Sequence, residues 1–305
     1  MAKNAEARKV RVSPSDITFG VEIECLVPTR WVEDHGITVG RYHHGDPLPA
    51  PFHIGWNAQR DGSLTSSRGY AAMEIVSPVL KGAAGLQTVL DTFRILKDAG
   101  AKVNDSCGFH VHVGGKSVLG SRADDHGLTV RWVRRMLHLM SRHEAALFAI
   151  TGVPSRRYND FCRSIRYKWN GVLETTSPLS TIERQVRGHG ERYYTLNLQN
   201  LMGMRRTVEF RLFGATMDGT QAVGYVVLAL GIAHRAAACG TVGEFQSEGR
   251  SLNTRTWATE VRALHHTLSS YGWPDGAKAL WGKAVRRVQR EQAQSFVLAI
   301  SRGAR

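Results

Sequence analysis

The 305-residue sequence has little cysteine, and what it has is scattered. Cys25, Cys107, Cys162 and Cys239 form no Cys-x-x-Cys pair, which argues against a disulfide framework and against a zinc ribbon. Long hydrophobic runs are also missing. The most apolar stretch, residues 222–233, is too short to span a bilayer and stops at His234 and Arg235. The opening residues, MAKNAEARKVRV, carry no apolar segment of the kind a secretory signal needs. No internal repeat and no low-complexity linker interrupts the chain. The expectation is a soluble, cytoplasmic protein with no membrane partner.

Acidic residues are in deficit. Twenty-six Asp and Glu face 40 Lys and Arg, a net charge of +14 and a sequence pI near 10.0. Such a balance favours anionic partners: nucleotides, acidic peptides or nucleic acid. The excess concentrates in residues 131–168 and 278–305, where the alternative is a solvated surface that aids solubility. No RNA-binding signature or aromatic-interleaved basic stretch is present, so nucleic acid is the less favoured partner.

Hydrophobic residues make up 42% of the chain, enough for a sizeable core. Residues 1–15 read as a disordered basic tail and 16–305 as a single domain with a helical C-terminal part from about residue 241. Strands are expected at 17–27, 72–79, 102–104, 108–114, 194–198 and 207–213. Residues 28–55, rich in Gly, Pro and His, and 151–192, rich in Arg and Ser, read as irregular. Helices are expected at 85–99, where Gly100 takes the C-cap position, and at 128–150, 220–238, 256–271 and 283–301. Strands first and helices gathered later suggest an α+β fold: a curved, mainly antiparallel sheet with helices on one face.

Alternate residues of a strand point to the same face. Three expected strands each carry two polar groups at i and i+2 within apolar residues: Glu22 and Glu24 in FGVEIE, His110 and His112 in FHVHV, Glu209 and Arg211 in VEFRL. Val21, Ile23, Phe109, Val111, Val113, Val208, Phe210 and Leu212 would line the opposite, packed face. Singly, each pair is equally a wet strand edge, a hydrogen-bonded pair or a cross-strand ion pair. Together they place carboxylates and imidazoles on one sheet face, which is costly unless they are solvated, paired or metal-bound. Glu and His suit Mg²⁺ or Mn²⁺. Same-face positions lie about 6.5–7 Å apart along a strand, and long Glu side chains at that spacing can serve two metals about 3.5–4 Å apart. A further strand offers Glu74 in MEIVSP.

In order, FGVEIE, DGSL (61–64), MEIVSP (73–78), CGFHVHVG (107–114) and TVEFRLF (207–213) resemble the amidoligase family. These are carboxylate–amine ligases with a fold similar to glutamine synthetase and glutamate–cysteine ligase. The resemblance covers roughly residues 17–240. It implies ATP and two or three Mg²⁺ or Mn²⁺ ions as cofactors, and a carboxylate and an amine as substrates. By it, Glu22, His110 and Glu209 would hold the metal nearer the phosphates, and Glu24 and Glu74 the metal nearer the carboxylate. His112 would approach ATP, and Arg211 the transferred phosphate. Only Glu74 stands where glutamine synthetase has two further carboxylates. The resemblance also admits a homo-oligomer.

The reaction so implied converts a carboxylate to an acyl phosphate, which the amine then attacks. Asp61 is a candidate acceptor for the amine proton, or simply the first residue of an Asp-Gly turn. Asn197 and Ser63 are candidate substrate contacts, and Arg157, beside Arg156, a candidate phosphate contact. A nucleophilic Cys107 with His110 is disfavoured because odd and even strand positions diverge. The rival activities are a phosphotransferase resembling the guanidino kinases, a metallohydrolase, and nucleic-acid binding with an incidental metal site.

Overall fold

The computed structural model describes residues 13–120, 126–151, 159–165, 169, 178–201, 203 and 205–238. The helices expected at 256–271 and 283–301, residues 1–12, Arg157 and Cys239 lie outside these described residues.

The sheet grows from its longest strand, β1 (Thr18–Pro28). Phe19, Val21, Ile23 and Cys25 alternate into the core, as β-branched and aromatic residues do on a half-buried strand. On one side β1 pairs with β4 (Tyr70–Val76) and, beyond Pro78, with the short β5 (Leu80–Lys81). On the other side it pairs with β6 (Gly108–Gly114). The short strands β2 (Asp46–Pro47) and β3 (Asn57–Gln59) extend the sheet beyond β4. β8 (Thr207–Gly214) and the two-residue β7 (Leu196–Asn197) extend it beyond β6. The order is β2-β3-β4-β1-β6-β8-β7, and every ladder is antiparallel. The fold is α+β, as expected.

Helices cover one face. α2 (Gly82–Asp98) buries Leu86, Val89, Phe93 and Leu96, spaced at helical period. It ends at Gly100, whose φ of 78° closes a Schellman turn: Gly100 N–H donates to Lys97 and Ala101 N–H to Leu96. α4 (His126–Thr151) and α6 (Gly219–Ala238) complete the layer. Asp218 caps α6 by accepting from the N–H groups of Thr220 and Gln221. A side chain at Gly219 would come within 2.9 Å of Phe93 Cβ, so the bare backbone there lets α6 lie against α2. The apolar run at 222–233 is the middle of this 20-residue helix, which is long and apolar enough by composition to cross a membrane. Nearly all of its side chains from Ala222 to Ala233 are buried against the sheet and the other helices. The remaining helices are short: α1 (Thr29–Asp34), α3 (Gly115–Leu119) and α5 (Leu179–Gln185).

Three local expectations are corrected. The stretch read as irregular at 28–55 contains α1, which starts where Pro28 sets the entering φ at −52°. The strand expected at 102–104 is a single bridge between Lys102 and Leu26, because the chain turns at once through the Asn104 side chain, which accepts from Ser106 N–H. Simple alternation fails in β8: Phe109 faces Phe213 and Val111 faces Phe210, so Arg211 and Leu212 together oppose His110. That bulge turns Phe213 as well as Leu212 into the core, where Phe213 stacks on Tyr225 at 4.8 Å and 11°. Phe213→Ala is expected to lower stability by about 3–5 kcal/mol, read as a drop in urea midpoint at unchanged slope.

Candidate active site

Strand register assembles the polar face. Glu24 stands directly opposite Glu74, and Glu74 opposite Gln59. Glu22 stands opposite His110, and His112 opposite Glu209, which in turn faces Asn197. The three strand pairs therefore belong to one polar row crossing β3, β4, β1, β6, β8 and β7. Glu24, Glu74, His110, Asn197 and Glu209 are all buried. Like charges directly across a ladder repel, and buried charges require partners, so the row must be neutralised from within or by something bound.

One half neutralises itself. His110 Nδ1 lies 3.0 Å from Glu22 and 3.6 Å from Glu209, with its Nε2 3.7 Å from Glu24. His112 Nε2 lies 2.9 Å from Glu22 Oε1 as an ion pair, yet without the alignment of a hydrogen bond. Arg211 Nη1 donates to Glu209 Oε1, and Asn197 Nδ2 to Glu209 Oε2. Burial opposes charge at Glu22, Glu209 and His112, and the partners overcome it. The His112 and His110 rings hold the Glu22 carboxyl well below its usual range, Arg211 and His112 lower that of Glu209, and Glu22 and Glu209 push His112 up to about 9.

The other half does not. Glu24, Glu74 and Asp61 bring oxygens within 4.8 Å of one another, and Glu22, His112 and Glu209 do the same with their ligand atoms. The only hydrogen-bond donors to Glu24 and Glu74 that the described residues supply are Gly108 N–H and Gln59 Nε2 respectively. Burial, then the Glu22, Glu24 and Asp61 carboxylates, push Glu74 well above the usual carboxylate range. Three carboxylates that have, among the described residues, only the His110 imidazole at 3.7 Å from Glu24 for an ion-pair partner, and a His112 nitrogen without a hydrogen bond, suit hard divalent cations in their donor chemistry.

Glu22, Glu24, Glu74, His110, His112, Glu209 and Arg211 converge. His112 forms a candidate ligand group with Glu22 and Glu209, and His110, near both of those carboxylates and 3.7 Å from Glu24, stands between the two sets. Asp61 joins Glu24 and Glu74, aimed by an Asp-Gly-Ser turn in which Ser63 N–H and Oγ both donate to its Oδ1 at 2.7 and 2.6 Å. Ser63 thereby orients Asp61 while lining the cavity. Asn197 is spent on Glu209 and on Gln199 N–H. Cys107 is buried and donates to Asn104, away from the row.

Two cavities meet at this row. One, of about 360 Å³, has Glu22, Glu74, Asp61, His110 and Arg211 at its polar base and Tyr42, His43, Phe161, Arg192 and Tyr193 on its walls. The other, of about 450 Å³, is more apolar, and Val76, Pro78 and Val79 line it together with Lys116, Arg205 and Arg206. Glu22 lines both. Arg206 adopts a φ of 50°, seldom taken by a non-glycine residue, and its carbonyl is pinned by Gly115 N–H at 2.8 Å. The wall residues of the first cavity carry no sequence signal: they come from the loops at 40–45, 159–163 and 189–193, the first more than a hundred residues from the other two.

Residues 52–233, more than half of the chain, match the model of a family described as "Putative amidoligase enzyme". No curated protein is matched. Among solved structures, a bifunctional glutathione synthetase from Pasteurella multocida aligns with 99% of this chain at 14% identity and a TM-score of 0.47. The chain spans about half of that protein, 51% of its length.

His112 binds its proton more tightly folded than unfolded, its pKa rising from an ordinary 6.5 to about 9. Its contribution to stability is therefore complete below pH 6.5 and is lost as pH rises through about 9. In metal-free protein the urea midpoint should fall across that interval, and His112→Asn should flatten the fall. A wild-type midpoint that rises instead would contradict this ion pairing.

Proposed function

Because the chain belongs to the amidoligase family, we propose that it joins a carboxylate to an amine, using ATP and Mg²⁺ or Mn²⁺. The observation that carries this reading is the pair of donor sets on one sheet face, with a separate cavity on either side and Glu22 in the wall between them. A hydrolase needs one cavity beside its metal. A ligase must hold a nucleotide and an acyl donor on opposite sides of the group being transferred.

In this reading the more apolar cavity takes the nucleotide. Val76, Pro78 and Val79 offer a surface for a base, while Lys116, Arg205 and Arg206 answer phosphate charge. The polar cavity takes the carboxylate. Glu22, His112 and Glu209 would hold one metal and Glu24, Glu74 and Asp61 another, which supplies the second set with the further carboxylate it requires. Bound there, such ions neutralise phosphate oxygens and orient them for in-line transfer.

The chemistry balances in two steps. A carboxylate oxygen of the donor attacks the γ-phosphorus of ATP, and the bond to the ADP oxygen breaks. The amine nitrogen then attacks the acyl carbon, the carbon–oxygen bond to phosphate breaks, and the amine proton leaves with the basic phosphate. Arg211, fixed by Glu209 and by the Phe161 carbonyl, lines the cavity as a cation for the charge that develops on the transferred group. Asp61, pointed at Glu24 and Glu74, acts as a metal ligand here rather than as the proton acceptor. His110 is a positioning residue that keeps Glu22 between the two donor sets.

With hydroxylamine as the amine and a panel of carboxylic acids, hydroxamate should form only when ATP and Mg²⁺ are both present. Glu22→Ala and Glu209→Ala should each lower the rate by about 100-fold or more, the scale of losing a preorganised charge-stabilising group. Transfer of phosphate to an acceptor with no hydroxamate would favour the phosphotransferase. Titration with Mn²⁺, followed by electron paramagnetic resonance, separates the two donor sets. Asp61→Asn should remove one class of bound ion and His112→Asn the other, and loss of the same class in both variants would sink the assignment. Because a cation must displace the His112 proton, affinity at that set should rise with pH up to about 9.

A further inference from the structure

The polar cavity has two arginines on its wall, and they are not equivalent. Arg211 is answered by the buried Glu209 carboxylate. Arg192 has no carboxylate partner among the described residues. It sits at the end of the turn His189–Arg192, half-buried, where its Nη1 donates to Tyr42 Oη and its Nη2 to Tyr193 Oη, both at 2.7 Å. Its guanidinium lies 4.8 Å from the Tyr193 ring centroid and 5.7 Å from that of Tyr42. Its Nε is buried without any hydrogen-bond partner.

Phenol oxygens orient a guanidinium but do not neutralise it, and a partly desolvated cation without an anion is an unfavourable arrangement. The arrangement is nevertheless built. Tyr193 is braced edge-on by Phe161 at 5.1 Å and 87°, and its carbonyl accepts from Arg163 N–H at 2.8 Å. Tyr42 packs on His43 at 3.8 Å, and His43 takes a φ of 61°, which a non-glycine residue seldom does. Two loops, about 150 residues apart in sequence, thus hold one planar fork with unused donors over the same cavity that contains the acidic row. A planar fork of N–H donors is the geometry that recognises a carboxylate.

We propose that Arg192, clasped by Tyr42 and Tyr193, binds a second carboxylate of the acyl donor, so that the substrate is a dicarboxylate with an apolar spacer. One carboxylate lies at the base of the cavity beside Arg211 and is activated. The other is held at Arg192, and the spacer lies along the rings of Tyr42, Tyr193 and Phe161. A monocarboxylate held beside Arg211 for activation leaves Arg192 without an anion. This inference rests on the ligase reading of the cavity, and the following measurements separate the two.

Binding of succinate, glutarate, adipate and butyrate to the full chain is measured by calorimetry, with and without Mg²⁺ and a non-hydrolysable ATP analogue. At least one dicarboxylate should bind about tenfold or more tightly than butyrate, the scale of one charge-assisted fork. Arg192→Gln should bring that dicarboxylate to the butyrate level while leaving butyrate itself unchanged, and Arg192→Lys should keep part of the preference. Tyr42→Phe, which keeps the charge and removes one hydroxyl that orients it, should lower the preference without abolishing it. No dicarboxylate preference in the wild type, or a preference that survives Arg192→Gln, overturns the proposal. If Arg192→Gln fails to fold, the lysine and phenylalanine variants decide it by the same preference. Tight, Arg192-dependent binding with no hydroxamate formed from the bound dicarboxylate leaves the dicarboxylate site at Arg192 standing and removes the ligase reading, and with it the ligand's role as acyl donor.

Discussion

Glu24 faces Glu74 across an antiparallel ladder, both buried, with Asp61 turned toward them. The rest of the structure is arranged around that unfavourable meeting of like charges. Nothing in the sheet's own pairing requires it, since an apolar pair at the same rung would be more stable. The backbone supports it with what it can spare, Gly108 N–H for Glu24 and the Gln59 amide for Glu74. Two residues along β1, and on the neighbouring β6 and β8, the same problem is solved by side chains, with His110, His112 and Arg211 set among Glu22 and Glu209. A site that is neutral at one end and overcharged at the other is prepared for added positive charge.

Rigidity for this arrangement comes from the opposite face. Phe19, Val21, Ile23, Phe109, Val111, Val208 and Phe210 alternate with the polar row and are buried with α2, α4 and α6. A slip of one residue in any central strand would exchange the two sets, moving acids into the core and aromatics into the cavity. The burial of both faces therefore specifies the register strongly. The bulge at Arg211 and Leu212 is where that strictness is relaxed: the extra residue lets Phe213 join the core while Glu209 and Arg211 remain on the polar face.

The strand-borne part of the site was legible in the sequence because period two is a local property. Glu-x-Glu, His-x-His and Glu-x-Arg within apolar flanks state which face they occupy. Their meeting was less legible, since which imidazole stands opposite which carboxylate depends on inter-strand register, which no single strand encodes. Asp61 was visible as a turn former, but its convergence with Glu24 and Glu74 depends on how the loop between β3 and β4 folds back. Tyr42, Arg192 and Tyr193 were not legible at all. They lie in stretches whose composition says only that they are irregular, and their meeting is a tertiary event. The short helix α1 was hidden for a related reason: its six residues are too few to display a period.

Glu22 lies in the wall between two cavities, with one carboxylate facing both. A ligand on either side that draws charge from this group changes what the other side encounters. Linkage makes such an effect equal in both directions. If a ligand in one cavity favours a ligand in the other, the second favours the first by the same factor. A single shared side chain thus suffices to make occupancy of the two cavities cooperative, with no moving lid and no second conformation of the sheet.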